Sequence, residues 1–214
     1  MVITGESVRF ADSNVAGLRH ICAFFNNTDE QHRVLRSFIK DGFERGDKAF
    51  HLVNPELREE HLRHLTDAGV DVQKVSASGQ LEVRSWKDTY LRGDRFDRDA
   101  MLALVEEVLQ TGQTEGYSLT RLLAHMEWAL VDKQVWKIFS NTRHGSTMSS
   151  PSTNNIVIWA YDLSKFSASV AIDAMRTHPA VIVGGLLHEN PFFVPPEQFL
   201  LELKERRSLR KNAA

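Results

Sequence analysis

The sequence predicts an α/β fold: one three-layer domain built on a mostly parallel sheet. Three observations predict it. Strand-like and helix-like segments alternate about six times along the chain, the pattern of strands joined by crossover helices. The run 156–161 is apolar almost without a break, as in a strand buried on both faces. No internal repeat or linker divides the 214 residues, a length that suits one domain with a self-sufficient core.

The opening unit is the clearest. Residues 21–25 read as a strand, 26–28 as a turn, 29–45 as a helix and 49–53 as a second strand. Thr28 and Gln31 have capping-box spacing, and Gly46 is a C-terminal stop. Val34, Leu35, Phe38, Ile39 and Phe43 share one helical face. Asn54-Pro55 opens a helix that ends before Gly69, and 69–75 leads back toward the sheet. Residues 80–86 form a short strand. Asp97 or Asp99 then opens a helix with Met101, Leu104, Val105, Val108 and Leu109 inside.

Beyond Gly116, 117–123 reads as a strand, 126–139 as a helix and 140–153 as a mobile polar loop. After the apolar strand come a helix over 164–176 and a strand over 180–183. His178-Pro179 is a rigid turn, because the residue before proline is pushed extended. Pro195-Pro196 opens a last helix that runs into a charged tail. The expected organisation is a domain over 1–205 and a tail over 206–214.

Composition excludes several classes. With 42% hydrophobic and 25% charged residues the chain is of ordinary globular type. A net charge of −2 argues against a nucleic-acid-binding surface across the molecule. Its single cysteine, Cys22, forms no internal disulfide, which fits a reducing cytoplasm. No secretory signal is evident and no apolar run approaches the roughly 18 residues of a membrane span. The turn 26–28 lacks the glycines and lysine with which a phosphate loop wraps a nucleotide. Neither a G-x-S-x-G elbow nor an H-E-x-x-H pair is present, and His144-Gly145-Ser146 has no evident acid, so no enzyme reading is carried forward.

Ordered motifs extend along most of the chain. They are His20-Ile21-Cys22-Ala23-Phe24-Phe25; Gly42-Phe43-Glu44-Arg45-Gly46-Asp47; Gly79-Gln80-Leu81-Glu82-Val83; Met126-Glu127-Trp128-Ala129-Leu130; Tyr161-Asp162-Leu163-Ser164-Lys165-Phe166; Arg176-Thr177-His178-Pro179; and Glu189-Asn190-Pro191-Phe192-Phe193. In order and spacing the chain resembles the MEDS family, the methanogen/methylotroph sensory domains. The resemblance implies a RecA-like α/β domain without a functional phosphate loop and a sensing or partner-regulating role, with small hydrocarbon derivatives as proposed ligands. Two departures stand out. Relatives carry an acidic residue in a helical stretch where this chain has the polar 142–153, and Cys-Gln where it has Trp159-Ala160.

In parallel sheets ligands sit at the carboxyl ends of the strands. That edge gathers Phe25 and Asn26, Asn54, Trp86 and Tyr90, His125, Glu127 and Trp128, and Tyr161. These nine are the candidate ligand-binding residues; rings and a few polar groups suit a small organic molecule. Each has a plainer reading. The aromatic residues serve equally as core, and Glu127 as half of an ion pair with Arg121 or another arginine. His20 and Cys22 share a strand face and with His178 form a weak metal candidate, but they lack zinc-site spacing. No cofactor is expected. The cationic tail, Lys204 to Lys211, reads as a solvated helix end.

The expected function is a non-catalytic cytoplasmic sensor that binds a small organic molecule and regulates a protein partner or transcription. Homodimerisation is one partner arrangement, and no membrane or direct nucleic-acid contact is expected. The alternatives are a ligand-free interaction module, with a kinase or sigma-factor regulator as partner, and a residual nucleotide binder.

Overall fold

The computed structural model describes residues 9–10, 13–14, 20–89, 91–92, 95–130 and 155–212. Two short strands, β1 (Arg9–Phe10) and β2 (Ser13–Asn14), pair with each other. The domain proper begins with β3 (His20–Phe25), α1 (Thr28–Arg45) and β4 (Lys48–Val53). A 3-10 turn (Pro55–Leu57) leads into α2 (Arg58–Asp67), followed by α3 (Val72–Ala77), β5 (Leu81–Ser85) and the single turn α4 (Trp86–Thr89). The pair β6 (Leu91–Arg92) and β7 (Arg95–Phe96) precedes α5 (Arg98–Thr114) and β8 (Thr120–His125). A second 3-10 turn (Glu127–Leu130) follows. Then come β9 (Ile156–Asp162), α6 (Ala168–Thr177), β10 (Ala180–Val183), β11 (Leu186–Glu189) and α7 (Pro196–Asn212).

Seven strands form the central sheet in the order β11-β10-β3-β9-β8-β4-β5, all parallel except β11. Side-chain alternation sends Ile21, Ala23, Phe25, Leu123 and Ile158 to one face, where Leu35, Phe38 and Ile39 of α1, Leu65 of α2 and Val75 of α3 cover them. Cys22, Phe24, Phe50, Leu122, Trp159 and Tyr161 point the other way, onto α5 and α6. The expected three layers are therefore present. The strand β9 is buried at every position, as its unbroken apolar run requires.

Local chemistry explains most boundaries, including those that differ from expectation. Asn27, not Thr28, caps α1: its backbone is extended and its side chain accepts from Glu30 N–H. Gly46, at φ 78°, closes the helix as expected, in the left-handed conformation that suits a residue without Cβ. The segment 69–75 is not a simple return to the sheet, because Asp71 caps the short α3. Asp97, rather than Asp99, caps α5, and the five expected inner residues are all buried. Strand β8 lies later than 117–123, paired with β4 from Lys48↔Thr120 onward. Helix α6 begins at Ala168, since Ser164 N–H and Oγ–H are both taken by Asp162.

The antiparallel β11 was not anticipated; Gly184 and Gly185, both at positive φ, make the tight turn into it. His178 is extended before Pro179, as predicted, and Asn190 Nδ2–H donates to its carbonyl at 2.7 Å. At the end of β8 the chain enters a 3-10 turn. The rest of the helix expected over 126–139, and the loop expected over 140–153, lie outside the described residues. The last helix continues to Asn212, and Arg206 within it pairs with Asp173 of α6.

Candidate functional site

The sheet sets the position of the crevice. The connection from β3 leaves through α1 on one face, and that from the adjacent β9 leaves through α6 on the other. Crossovers that part in this way open the sheet at the carboxyl ends of the two strands, the usual ligand position in open α/β sheets. Here those ends are joined by Leu163 N–H, which donates to Phe25 C=O at 2.7 Å. The polar groups around them come from the first turn of α1 and from the ends of β8 and β9.

The first turn of α1 supplies its own anion. The Glu30 carboxylate accepts from Asn26 N–H at 2.7 Å and Asn26 Nδ2–H at 2.8 Å, while Asn27 Oδ1 accepts Glu30 N–H at 2.9 Å. The bonds from Asn26 hold the Glu30 carboxyl below its ordinary pKa. A helix start otherwise attracts phosphate; this one already carries a carboxylate.

Glu127 and Asp162 face each other across Lys165. Lys165 Nζ lies 3.2 Å from Glu127 Oε1 and 3.2 Å from Asp162 Oδ2. Burial pulls the lysine's pKa down, but the two carboxylates outweigh it and the ammonium is favoured. Burial likewise pushes Asp162 up, and the Ser164 hydroxyl and N–H together with Lys165 overcome it, leaving Asp162 below its usual range. Glu127 is only 9% exposed, and its second oxygen, Oε2, has no hydrogen-bond partner among the described residues. The expected arginine partner is corrected. Arg121 lies at the other end of β8, where it donates to Asp47 at 2.7 Å, Phe38 C=O at 2.6 Å and Asp41 at 2.6 Å.

Behind Glu127 is a group the sequence reading missed. The Gln31 amide donates to His125 Nε2 at 2.9 Å, and the His125 ring lies 5.4 Å from that of His61. His61 Nε2 is 2.8 Å from His51 Nδ1, and His32 stacks on His64 at 3.7 Å with His61 beside it. Five of the chain's nine histidines thus meet under α1 and α2. Burial favours the neutral forms of four of them: His51 and His32 are lowered to about 3, and His61 and His125 also lie below the ordinary value. Their positions, 32, 51, 61, 64 and 125, show no pattern along the chain. The only local signs are His51 inside an apolar strand and the i,i+3 pair His61 and His64. Among the described residues no group is placed to hold a metal ion.

The nine candidate residues divide. His125 and Glu127 come together at the crevice, with Asn26 at the nearby helix start. Asn54 is occupied as the cap of the 3-10 turn, accepting Glu56 N–H at 3.1 Å. Phe25 is wholly buried on the α1 face. Trp86, Trp128 and Tyr161 are core side chains of the opposite face; Trp128 stacks on Phe96 at 4.6 Å, and Tyr161 packs against Phe24 and Phe166 at 5.4 Å each. Tyr90 lies outside the described residues. Of the metal candidates, His20 Nε2 accepts Trp159 Nε1–H at 2.7 Å and its ring lies 4.3 Å from that of His178. His178 Nδ1 donates to Ala174 C=O at 2.7 Å. Burial raises the thiol pKa of Cys22 strongly, against the thiolate a metal needs.

Comparison with known proteins places the chain. The model of the MEthanogen/methylotroph, DcmR Sensory domain matches residues 19–179. The transcriptional repressor DcmR of Methylorubrum extorquens (strain DSM 6343 / CIP 106787 / DM4) is 25% identical over 178 residues, which cover 83% of this chain and 64% of that protein. The match thus spans less than two thirds of the relative's length. The chain belongs to the MEDS family, and a sensory, regulatory role follows from that membership. No helix among the described residues is long and apolar enough to cross a membrane.

Proposed function

We propose that this MEDS domain is a non-catalytic signalling module that binds a small organic molecule, with hydrocarbon derivatives as candidates, at the carboxyl ends of β8 and β9. Occupancy changes the affinity for a protein partner or a transcription complex, in a reducing cytoplasm that suits the lone buried thiol. One observation carries the reading. A buried carboxylate oxygen without a partner is costly, and among the described residues Glu127 Oε2 is one. A ligand hydroxyl or N–H placed there satisfies it, with Lys165 fixing the other oxygen. His125, kept neutral and accepting from Gln31, offers its remaining N–H as a donor.

The first turn of α1 supports the loss of phosphate binding. A triphosphate at Asn26 and Asn27 meets the Glu30 carboxylate instead of free N–H groups. The packing of Trp86, Trp128 and Tyr161 in the core favours a second reading, a ligand-free interaction module.

Mass spectrometry of gently purified protein, with thermal-shift titration of short alcohols, amines and halogenated hydrocarbons, separates the readings. A bound small molecule, or a shift abolished in Glu127→Gln, supports the sensor. A stoichiometric protein partner, with no small molecule and no shift, supports the module. A saturable response to ATP with magnesium supports residual nucleotide binding and removes both.

A further inference from the structure

The strand β5 ends the sheet, and among the described residues it pairs only with β4. A groove of about 590 Å³ lies at its carboxyl-terminal half, bounded there by Pro55 and Arg58 beyond β4 and by Asp88 and Thr89 of α4. Three consecutive strand residues, Val83, Arg84 and Ser85, line this groove. Successive strand side chains point to opposite faces, so a groove that meets all three reaches round the edge of β5 that no described strand occupies. A further wall is Ala100, Ala103, Leu104 and Glu107 of α5, one helical stripe at i, i+3, i+4 and i+7 whose two alanines leave room beside the strand. An open edge of this kind accepts a further strand.

Charge on the strand selects the occupant. Edges are commonly protected by charged side chains, and β5 carries Glu82 and Arg84, both about one third exposed and ion-paired to each other. The order of the two charges makes the strand self-complementary. We propose that a second copy of this chain docks here, its β5 antiparallel to the first, about a twofold axis through Val83. Val83 then faces its own counterpart, Leu81 faces Ser85, and each Glu82 faces the partner's Arg84. The four charges form an alternating row on the α5 side, and Glu107, 3.3 Å from Arg84, extends it. A neutral or singly charged strand leaves that row unmatched, and like charges directly opposite oppose pairing. The two sheets become continuous across the axis.

The test is charge reversal read by analytical ultracentrifugation of the 214-residue chain. The wild type is expected to sediment as a dimer. Glu82→Arg alone and Arg84→Glu alone each place like charges opposite one another, and each is expected to sediment as a monomer with an unchanged circular dichroism spectrum. An equimolar mixture of the two singles is expected to form a mixed dimer, and the double reversal E82R/R84E to form a homodimer. The mixture separates an interchain contact from the pair within one strand, because no single chain in it regains a Glu82–Arg84 pair. A monomeric wild type, dimeric single variants or a mixture that stays monomeric overturns the proposal. None of these outcomes depends on the ligand site.

Discussion

His51 Nδ1 and His61 Nε2 lie 2.8 Å apart in the interior, one from the middle of β4 and the other from α2. Two imidazoles share one hydrogen bond at that distance only if at least one is unprotonated on the shared side, and burial holds both well below the ordinary histidine pKa. His51 titrates near 6.5 when unfolded and at about 3 in the fold.

Acid is therefore expected to destabilise the fold. Between pH 6.5 and about 3 the unfolded chain binds more protons at His51, so stability is fully present above pH 6.5 and falls as pH drops through that window. From pH 7 to 5 one such histidine contributes a loss on the order of 2 kcal/mol. Urea denaturation at the two pH values measures it, and His51→Gln should flatten the dependence. A midpoint equal at pH 7 and 5 would contradict a neutral buried cluster.

Lys165→Met leaves Glu127 and Asp162 facing each other without a cation. The expected cost at pH 7 is about 1–3 kcal/mol, less than for a fully buried pair because the lysine is partly exposed. Adding Glu127→Gln should recover part of it. A double-mutant cycle in which the two costs simply add would show that they do not interact.

Gly42→Ala is expected to destabilise by about 1–3 kcal/mol. Its Cβ would lie 2.8 Å from Arg121 Cδ and 2.9 Å from Nε. Arg121 cannot withdraw without releasing Asp47, Asp41 and the Phe38 carbonyl. Chemical denaturation reports the change; Gly42→Ala with wild-type stability would mean that the guanidinium is free to move.

Trp128→Ala should cost about 3–5 kcal/mol, since it removes a fully buried indole stacked on Phe96. A side chain that merely rims an open site would cost far less. The thermal melt of this variant therefore tells core from mouth directly.

Legibility followed the range of the interaction. Apolar period and turn chemistry are local, so β3, α1, β4, β9 and the inner face of α5 were readable from residues a few positions apart. Gly46 was also visible as a stop, and Asp97 as one of two candidate caps beside Asp99, by their conformational preferences. Glu127 could be singled out as a carboxylate among apolar neighbours. Its partner could not: Lys165 is 38 residues away and Arg121 only six, yet strand direction sends Arg121 to the opposite end of the sheet.

The sequence by itself determined the three-layer α/β architecture, the absence of a glycine-lysine phosphate loop and the family, because each is written in local pattern or ordered motif. Tertiary structure alone decided which rings became core and that five scattered histidines meet. The physical reason is that strand order and crossover direction choose neighbours from segments far apart in the chain, and burial then sets their charge.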